Sequence, residues 1–191
     1  MLEKTPAAVG HALRKVRAGR EKLVCERDEF AAVPVAIDLA SGAFGDGEPM
    51  PSRYTADGER LSPPLAWRGT PAECRGLVLI VEDPDAPSLQ PFTHLLAFDL
   101  PPDLTALPEG LFKSPRHEGL DEDLGRNAYR QAAYLPPDPP TGHGEHRYVF
   151  QLFALNHRLD FDRPPSRREV IEAMHGHVLA IGVLTATYER R

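Results

Sequence analysis

RYVFQLFAL, residues 147–155, is an unbroken run dominated by aromatic and branched side chains, free of Gly and Pro. That composition suits a pleated, half-buried backbone, so the run reads as the strongest strand in the chain. Side chains in a strand alternate between faces, which puts His146, Tyr148, Phe150 and Leu152 on one side and Arg147 on the other. Working outward, LVLIVE (77–82) is a continuous apolar run of strand length, as expected of a central strand buried on both faces. HLLAFDL (94–100) is a similar run, closed by Pro101-Pro102. VAIDL (35–39) reads as a first strand and VLTATY (183–188) as a last one. One good helix stands among them. Ser166-Arg-Arg-Glu169 is a capping box, and Val170, Ile171, Met174 and Val178 follow at helical period. Several strands with late helices indicate a mainly β, antiparallel-rich sheet core with a C-terminal helix, not alternating βαβ units.

The 191 residues suit one domain with a single sizeable core. The net charge of −6 gives no support to general nucleic-acid binding. Proline is more informative: 20 residues is about twice the usual share. Proline is poorly tolerated inside helices and central strands, so a small ordered framework must carry long, stiffened loops. Such loops fall at 41–66, at 101–133 with an acidic knot of Glu118, Asp121, Glu122 and Asp123, and at 134–145. Cys25 and Cys74 fit no zinc or redox spacing and read as free thiols of a reducing compartment. No stretch approaches a membrane span, and no apolar leader opens the chain, so the expected location is cytoplasmic. Residues 1–32 form an N-terminal extension of helical character before a main domain at 33–191. Within the extension, Leu13, Val16, Leu23 and Val24 share part of a face ringed by basic residues, although Gly19 weakens a helix there. Such a helix could meet an acidic partner or pack on the main domain.

Four features could carry chemistry. Asp83-Pro84-Asp85-Ala86-Pro87 leaves the 77–82 strand with two carboxylates on a proline-restricted backbone, although Asp-Pro also marks ordinary turns. His94 opens the next strand, as the polar end of a stripe with Leu96 and Phe98 or as a satisfied structural histidine. Gly142-His143-Gly144-Glu145-His146-Arg147-Tyr148 can present His146 and Tyr148 at a pocket rim, or be a hairpin entry. Tyr134-Leu135-Pro136-Pro137-Asp138-Pro139-Pro140 is stiff enough for a pocket wall, or for a spacer.

In this order, these blocks resemble the phosphatidylethanolamine-binding protein family, which includes the Raf kinase inhibitor proteins and bacterial homologues. The match runs over roughly residues 35–190, from SGAFGDGEPMPSRYTADGERLSPPLAW (41–67) to TATYER (185–190). The resemblance implies a β-sandwich with a small anion pocket at one end. It implies a ligand-binding set of Asp83, Asp85, His94, His146 and Tyr148, with Tyr134 and Pro87 beside them. It further implies a phosphate or phospholipid-headgroup ligand, a regulatory binding scaffold and not an enzyme, no cofactor, and a homodimer. Two departures stand out: His94-Leu95 where relatives read His-Trp, and Ala133-Tyr134-Leu135-Pro136-Pro137 where they read Gly-Tyr-x-Gly-Pro.

The expected mechanism has His94 and His146 donating to the anion with help from Tyr148, while Asp83 and Asp85 accept from the imidazoles. A rival reading is a metal-dependent hydrolase using Asp83, Asp85, His94, His143 and His146. His143-x-x-His146 is not the helical H-E-x-x-H pattern, and Gly142 and Gly144 disfavour a helix there. A third reading is an interaction module that regulates a kinase or protease.

Overall fold

The computed structural model describes residues 6–112 and 123–190. Of the acidic knot, Glu118, Asp121 and Glu122 lie outside the described residues. The strands are β1 (Asp38–Ala40), β2 (Leu65–Arg68), β3 (Gly76–Asp83), β4 (Phe92–Leu100), β5 (Ala106–Leu107), β6 (His146–Leu155) and β7 (Val178–Tyr188). Among the described residues these strands pair antiparallel with one another: a large sheet runs β4-β3-β6-β7 and a small one β1-β2-β5. The fold is mainly β, with α1 (Ala7–Leu13) and α2 (Arg167–Met174) as its helices.

β3 is buried along its whole length because both of its faces are covered. Leu77, Leu79 and Val81 join Tyr148, Phe150 and Leu152 of β6 in the core beneath the small sheet, which contributes Leu39, Leu65 and Trp67. Val78 and Ile80 face the opposite way, into a second core with Val170, Ile171 and Met174 of α2. The capping box of α2 forms as read: Ser166 Oγ accepts from the Glu169 amide at 3.3 Å, and the Glu169 carboxylate accepts from the Ser166 amide at 2.7 Å.

Two expectations change. Residues 11–24 do not form one helix; α1 ends at Leu13, Gly19 takes φ +106°, and three 3-10 turns cover Arg20–Lys22, Val24–Glu26 and Asp28–Phe30. Burial outweighs helical propensity here, because the turns insert Val24 and Phe30 into the α2-side core, Phe30 lying 5.8 Å from the Phe153 ring. The segment is also tied down by a buried polar seam. Glu82, fully buried, accepts from the Val24 amide at 3.2 Å, from Gln151 at 3.0 Å and from Arg167 at 2.5 Å. Gln151 in turn accepts from the Cys25 amide at 2.8 Å. The second change concerns VAIDL: only its end enters β1, while Ala36 and Ile37 donate to the Ile181 carbonyl on β7. The chain thus crosses from the large sheet to the small one within a few residues. Cys25 and Cys74 are both free.

Candidate ligand pocket

β3 stops at Asp83, where Pro84 has no N–H to continue the ladder. Asp83 Oδ1 caps the turn by accepting from the Asp85 amide at 2.8 Å. Its other oxygen accepts from His146 Nδ1 at 2.7 Å, joining the end of β3 to the start of β6. His146 Nε2 meets His143 Nδ1 at 2.7 Å, and His143 Nε2 donates to the Leu13 carbonyl at 2.9 Å. Both ring nitrogens of His146 are therefore engaged by the protein.

Asp85 does not cap an imidazole. It accepts from the Arg147 backbone at 2.9 Å, from the Arg147 guanidinium at 2.7 and 2.8 Å, and pairs with Arg17 at 2.7 Å. Burial opposes the charge on Asp85, but the hydrogen bonds from Arg147 and Arg17 outweigh it and hold the pKa down to about 2. Its role is to lock the 83–87 turn against β6.

His94 occupies a β-bulge. Val81 pairs with Leu95 and Glu82 with Thr93, so His94 is the extra residue and leaves the stripe of Leu96 and Phe98. Leu95 lies instead in the inter-sheet core, at 2 % exposure, and does not face the cavity. The His94 ring donates from Nδ1 to the Leu135 carbonyl at 2.8 Å, while the Leu135 amide donates to the His94 carbonyl at 2.8 Å. This pair fastens the proline wall to β4. His94 Nε2 is buried without a partner among the described residues, and so is the hydroxyl of Tyr148. The two rings meet edge to face at 5.1 Å. Burial lowers the His94 pKa against the pull of Asp83, so the neutral ring is favoured and its Nε2 is an acceptor. Burial raises the Tyr148 pKa well above its ordinary value, so its hydroxyl keeps its proton.

Above these groups opens a cavity of about 480 Å³. Asp83, Pro87, His94 and His146 line it, as do Leu135, Pro136, Pro139 and Pro140 of the wall. Asp85, Tyr134 and Tyr148 do not: Asp85 is turned to the arginines, Tyr148 stands behind His94, and Tyr134 is buried with its hydroxyl 3.5 Å from the Tyr54 carbonyl. Asp138 lines it from within the proline wall; Arg60, Phe92 and Tyr129 also line the cavity and were missed in the sequence. Phe92 sits at 5.1 Å from His94 and 5.2 Å from Tyr129, forming an aromatic side to the cavity. Arg60 adopts a left-handed φ of 64° just after Asp57-Gly58, and that turn signal was the one available clue to its placement. Among the described residues, no three His, Cys, Asp or Glu side chains are grouped to hold a metal ion.

The family model for phosphatidylethanolamine-binding protein matches residues 40–189. The chain belongs to that family. A UPF0098 protein of Methanothermobacter thermautotrophicus is 44% identical over 155 residues, covering 81% of this chain and 99% of the relative. A Chlamydia trachomatis crystal structure described as a phosphatidylethanolamine-binding protein homologue is similar at a TM-score of 0.73 and 35% identity, over 82% of this chain and 99% of that one. Escherichia coli YbcL, described as a member of the mammalian family, also gives 0.73, at 25% identity over 82% of this chain and all of its own. Small-ligand binding in general follows from family membership. No helix among the described residues is long and apolar enough to cross a membrane.

Proposed function

We propose that the chain binds a small phosphate-containing ligand of the phospholipid-headgroup type in this cavity and acts as a regulatory binding protein without catalysis. The observation that carries the reading is His94 Nε2, a buried polar atom without a partner among the described residues on a side chain that lines the cavity, with the likewise unpartnered Tyr148 hydroxyl behind its ring. A buried polar atom left unpaired costs about 1–3 kcal/mol, which a ligand supplying the partner recovers. The chemistry of the pair is specific. Neutral His94 offers an acceptor at the cavity and asks the ligand for a proton, and the Tyr148 hydroxyl behind it is a donor. A phosphate monoester monoanion brings both acceptor oxygens and a P–OH, and Arg60 on the wall supplies a complementary cation. Asp83 and Asp138 also line the cavity, held by His146 and Arg190, and their carboxylate oxygens suit a zwitterion carrying an ammonium group. Metal hydrolysis is less favoured, since His143 and His146 are hydrogen-bonded to each other and not splayed towards a common point.

Calorimetry with O-phosphoethanolamine tests the reading. The wild type is expected to bind, and both His94→Ala and Tyr148→Phe to weaken binding by on the order of tenfold. Tyr148→Phe removes an unpaired hydroxyl, so it should leave stability unchanged or raise it by up to about 1 kcal/mol in urea denaturation. Unaltered affinity in both variants would sink the assignment. A cytoplasmic location is the accompanying proposal, supported by the two free thiols, of which Cys25 is pushed up to about 12 by burial. A homodimer is also proposed, supported by the exposed apolar Val9, Leu13 and Val16, and sedimentation equilibrium measures it.

A further inference from the structure

The hydrogen-bond chain behind the pocket has a countable proton content. It runs through three links: Leu13 carbonyl to His143, His143 to His146, and His146 to Asp83. A carbonyl only accepts, so His143 Nε2 carries a proton. In a neutral ring Nδ1 then accepts, so His146 Nε2 carries one as well. The Asp83 carboxylate also accepts, so the last link needs a third proton. Two neutral imidazoles bring only two. The complete chain therefore holds one proton more than two neutral rings and a carboxylate, and that proton belongs to the His146–Asp83 link.

The anchor of this chain lies outside the residues that the family model matches, which begin at 40. Residues 10–19 clamp both loops of the site from behind. Gly10 packs so closely on the 141–143 backbone that an added Cβ would sit 2.0 Å from the Thr141 carbonyl oxygen. The Ala18 and Gly19 amides donate to the carbonyls of Ala86 and Pro84 at 3.0 and 2.9 Å. Arg17 bridges the Glu145 carbonyl at 3.0 Å and the Asp85 carboxylate at 2.7 Å.

We propose that His143 is a positioning residue of the pocket: held by the Leu13 carbonyl, it accepts the Nε2 proton of His146, and residues 10–19 thereby set the orientation and proton content of the His146–Asp83 pair. His146 then keeps both ring nitrogens on protein partners, and the ligand meets a His146–Asp83 pair that is neutral as a whole. Burial, with the field of His146, lowers the His143 pKa, in keeping with a neutral ring at that position. The groups facing the pair are Arg17 from the N-terminal segment, with His11 and Arg14 packed at Gly142 and Gly144, then Asp85 from the turn, His94 from β4, Asp138 from the wall, and Glu145 and Arg147 beside His146. Without the third proton one of the three links opens, and the hold of residues 10–19 on the pocket slackens. The affinity consequence rests on the ligand reading above; the proton placement does not.

The test is imidazole ¹⁵N NMR on the full chain near neutral pH, in wild type, His143→Asn and His143→Leu, with calorimetry against O-phosphoethanolamine at several pH values. His143 is expected as the Nε2–H neutral ring and His146 with a proton at each nitrogen, the Nδ1 proton shared with Asp83. A His143 ring protonated at Nδ1 and bare at Nε2 overturns the proposal. His143→Leu is expected to weaken phosphoethanolamine on the order of tenfold and shift its pH profile. His143→Asn, whose side-chain carbonyl can still accept from His146, should recover most of the loss. Equal affinities and identical pH profiles in all three proteins overturn the proposal. Should His143→Leu not fold, Gly10→Val acts from outside the site, and unchanged His146 signals in that variant are equally fatal. A wild type with the expected tautomers that binds no phosphoethanolamine sinks the ligand reading and leaves the positioning role supported.

Discussion

Asp85 takes four hydrogen-bonding or ion-pair contacts from two arginines while being 1 % exposed. A carboxylate in such a place couples folding to protonation. Its folded pKa of about 2 lies below the ordinary aspartate value of 3.8, so the stabilisation is present above the unfolded value and disappears as pH falls through the folded one. The wild type should lose about 2 kcal/mol from this group as pH drops from about 4 to about 2. Urea denaturation over that range should show Asp85→Asn with a correspondingly flatter acid limb and lower stability at neutral pH. Parallel acid limbs in the two proteins would contradict the arginine clamp. His94 shows a different residue-scale logic, since its burial favours the neutral ring and leaves an acceptor where a plain anion would need a donor.

At the scale of elements, the decisive contact is where the chain leaves β7 for β1. Gly182 lies against residue 37 so tightly that a Cβ would sit 2.9 Å from the Ile37 carbonyl oxygen and 3.0 Å from its side chain. Gly182→Ala should therefore cost about 1–3 kcal/mol, read from chemical denaturation, through displacement of residues 35–37 from the sheet edge. The main strands were legible in the sequence because period-two alternation is a local property: His146, Tyr148, Phe150 and Leu152 do share a face. His94 broke the same rule because its bulge is visible only in the pairing of β3 with β4. The helix of residues 166–174 was equally legible, its cap and apolar stripe lying within one short window. The N-terminal turns were not, since what folds them is a buried glutamate many residues away, Glu82. The pocket was half legible: its acids, histidines and proline wall could be assembled by order along the chain. Arg60 and Tyr129 entered through loop geometry, and Tyr148 stands one layer further back than alternation alone suggested.

For the whole molecule, two cores share the large sheet, and the outer one is incomplete without the N-terminal residues Val24 and Phe30. Removing the Phe30 ring should cost about 3–5 kcal/mol, the range for deleting a buried aromatic side chain. Phe30→Ala measured by thermal and urea unfolding checks this, and a loss below about 1 kcal/mol would mean that residues 20–30 are an ornament on a self-sufficient domain. The proline content finds its use at this scale too. Pro87, Pro136, Pro139 and Pro140 all line the cavity, so its shape is held by backbone restriction before any ligand arrives.

The contact between Leu13 and His143 spans 130 residues. On a ribosome, the carbonyl that anchors the site emerges 130 residues before its imidazole partner. Until then residues 10–30 have no finished surface to settle on, because β6 and α2 are still to come. The binding site is thus closed by a segment that returns to a partner made 130 residues after it, and a product terminated between the two would lack both the pocket and the seat for residues 10–30.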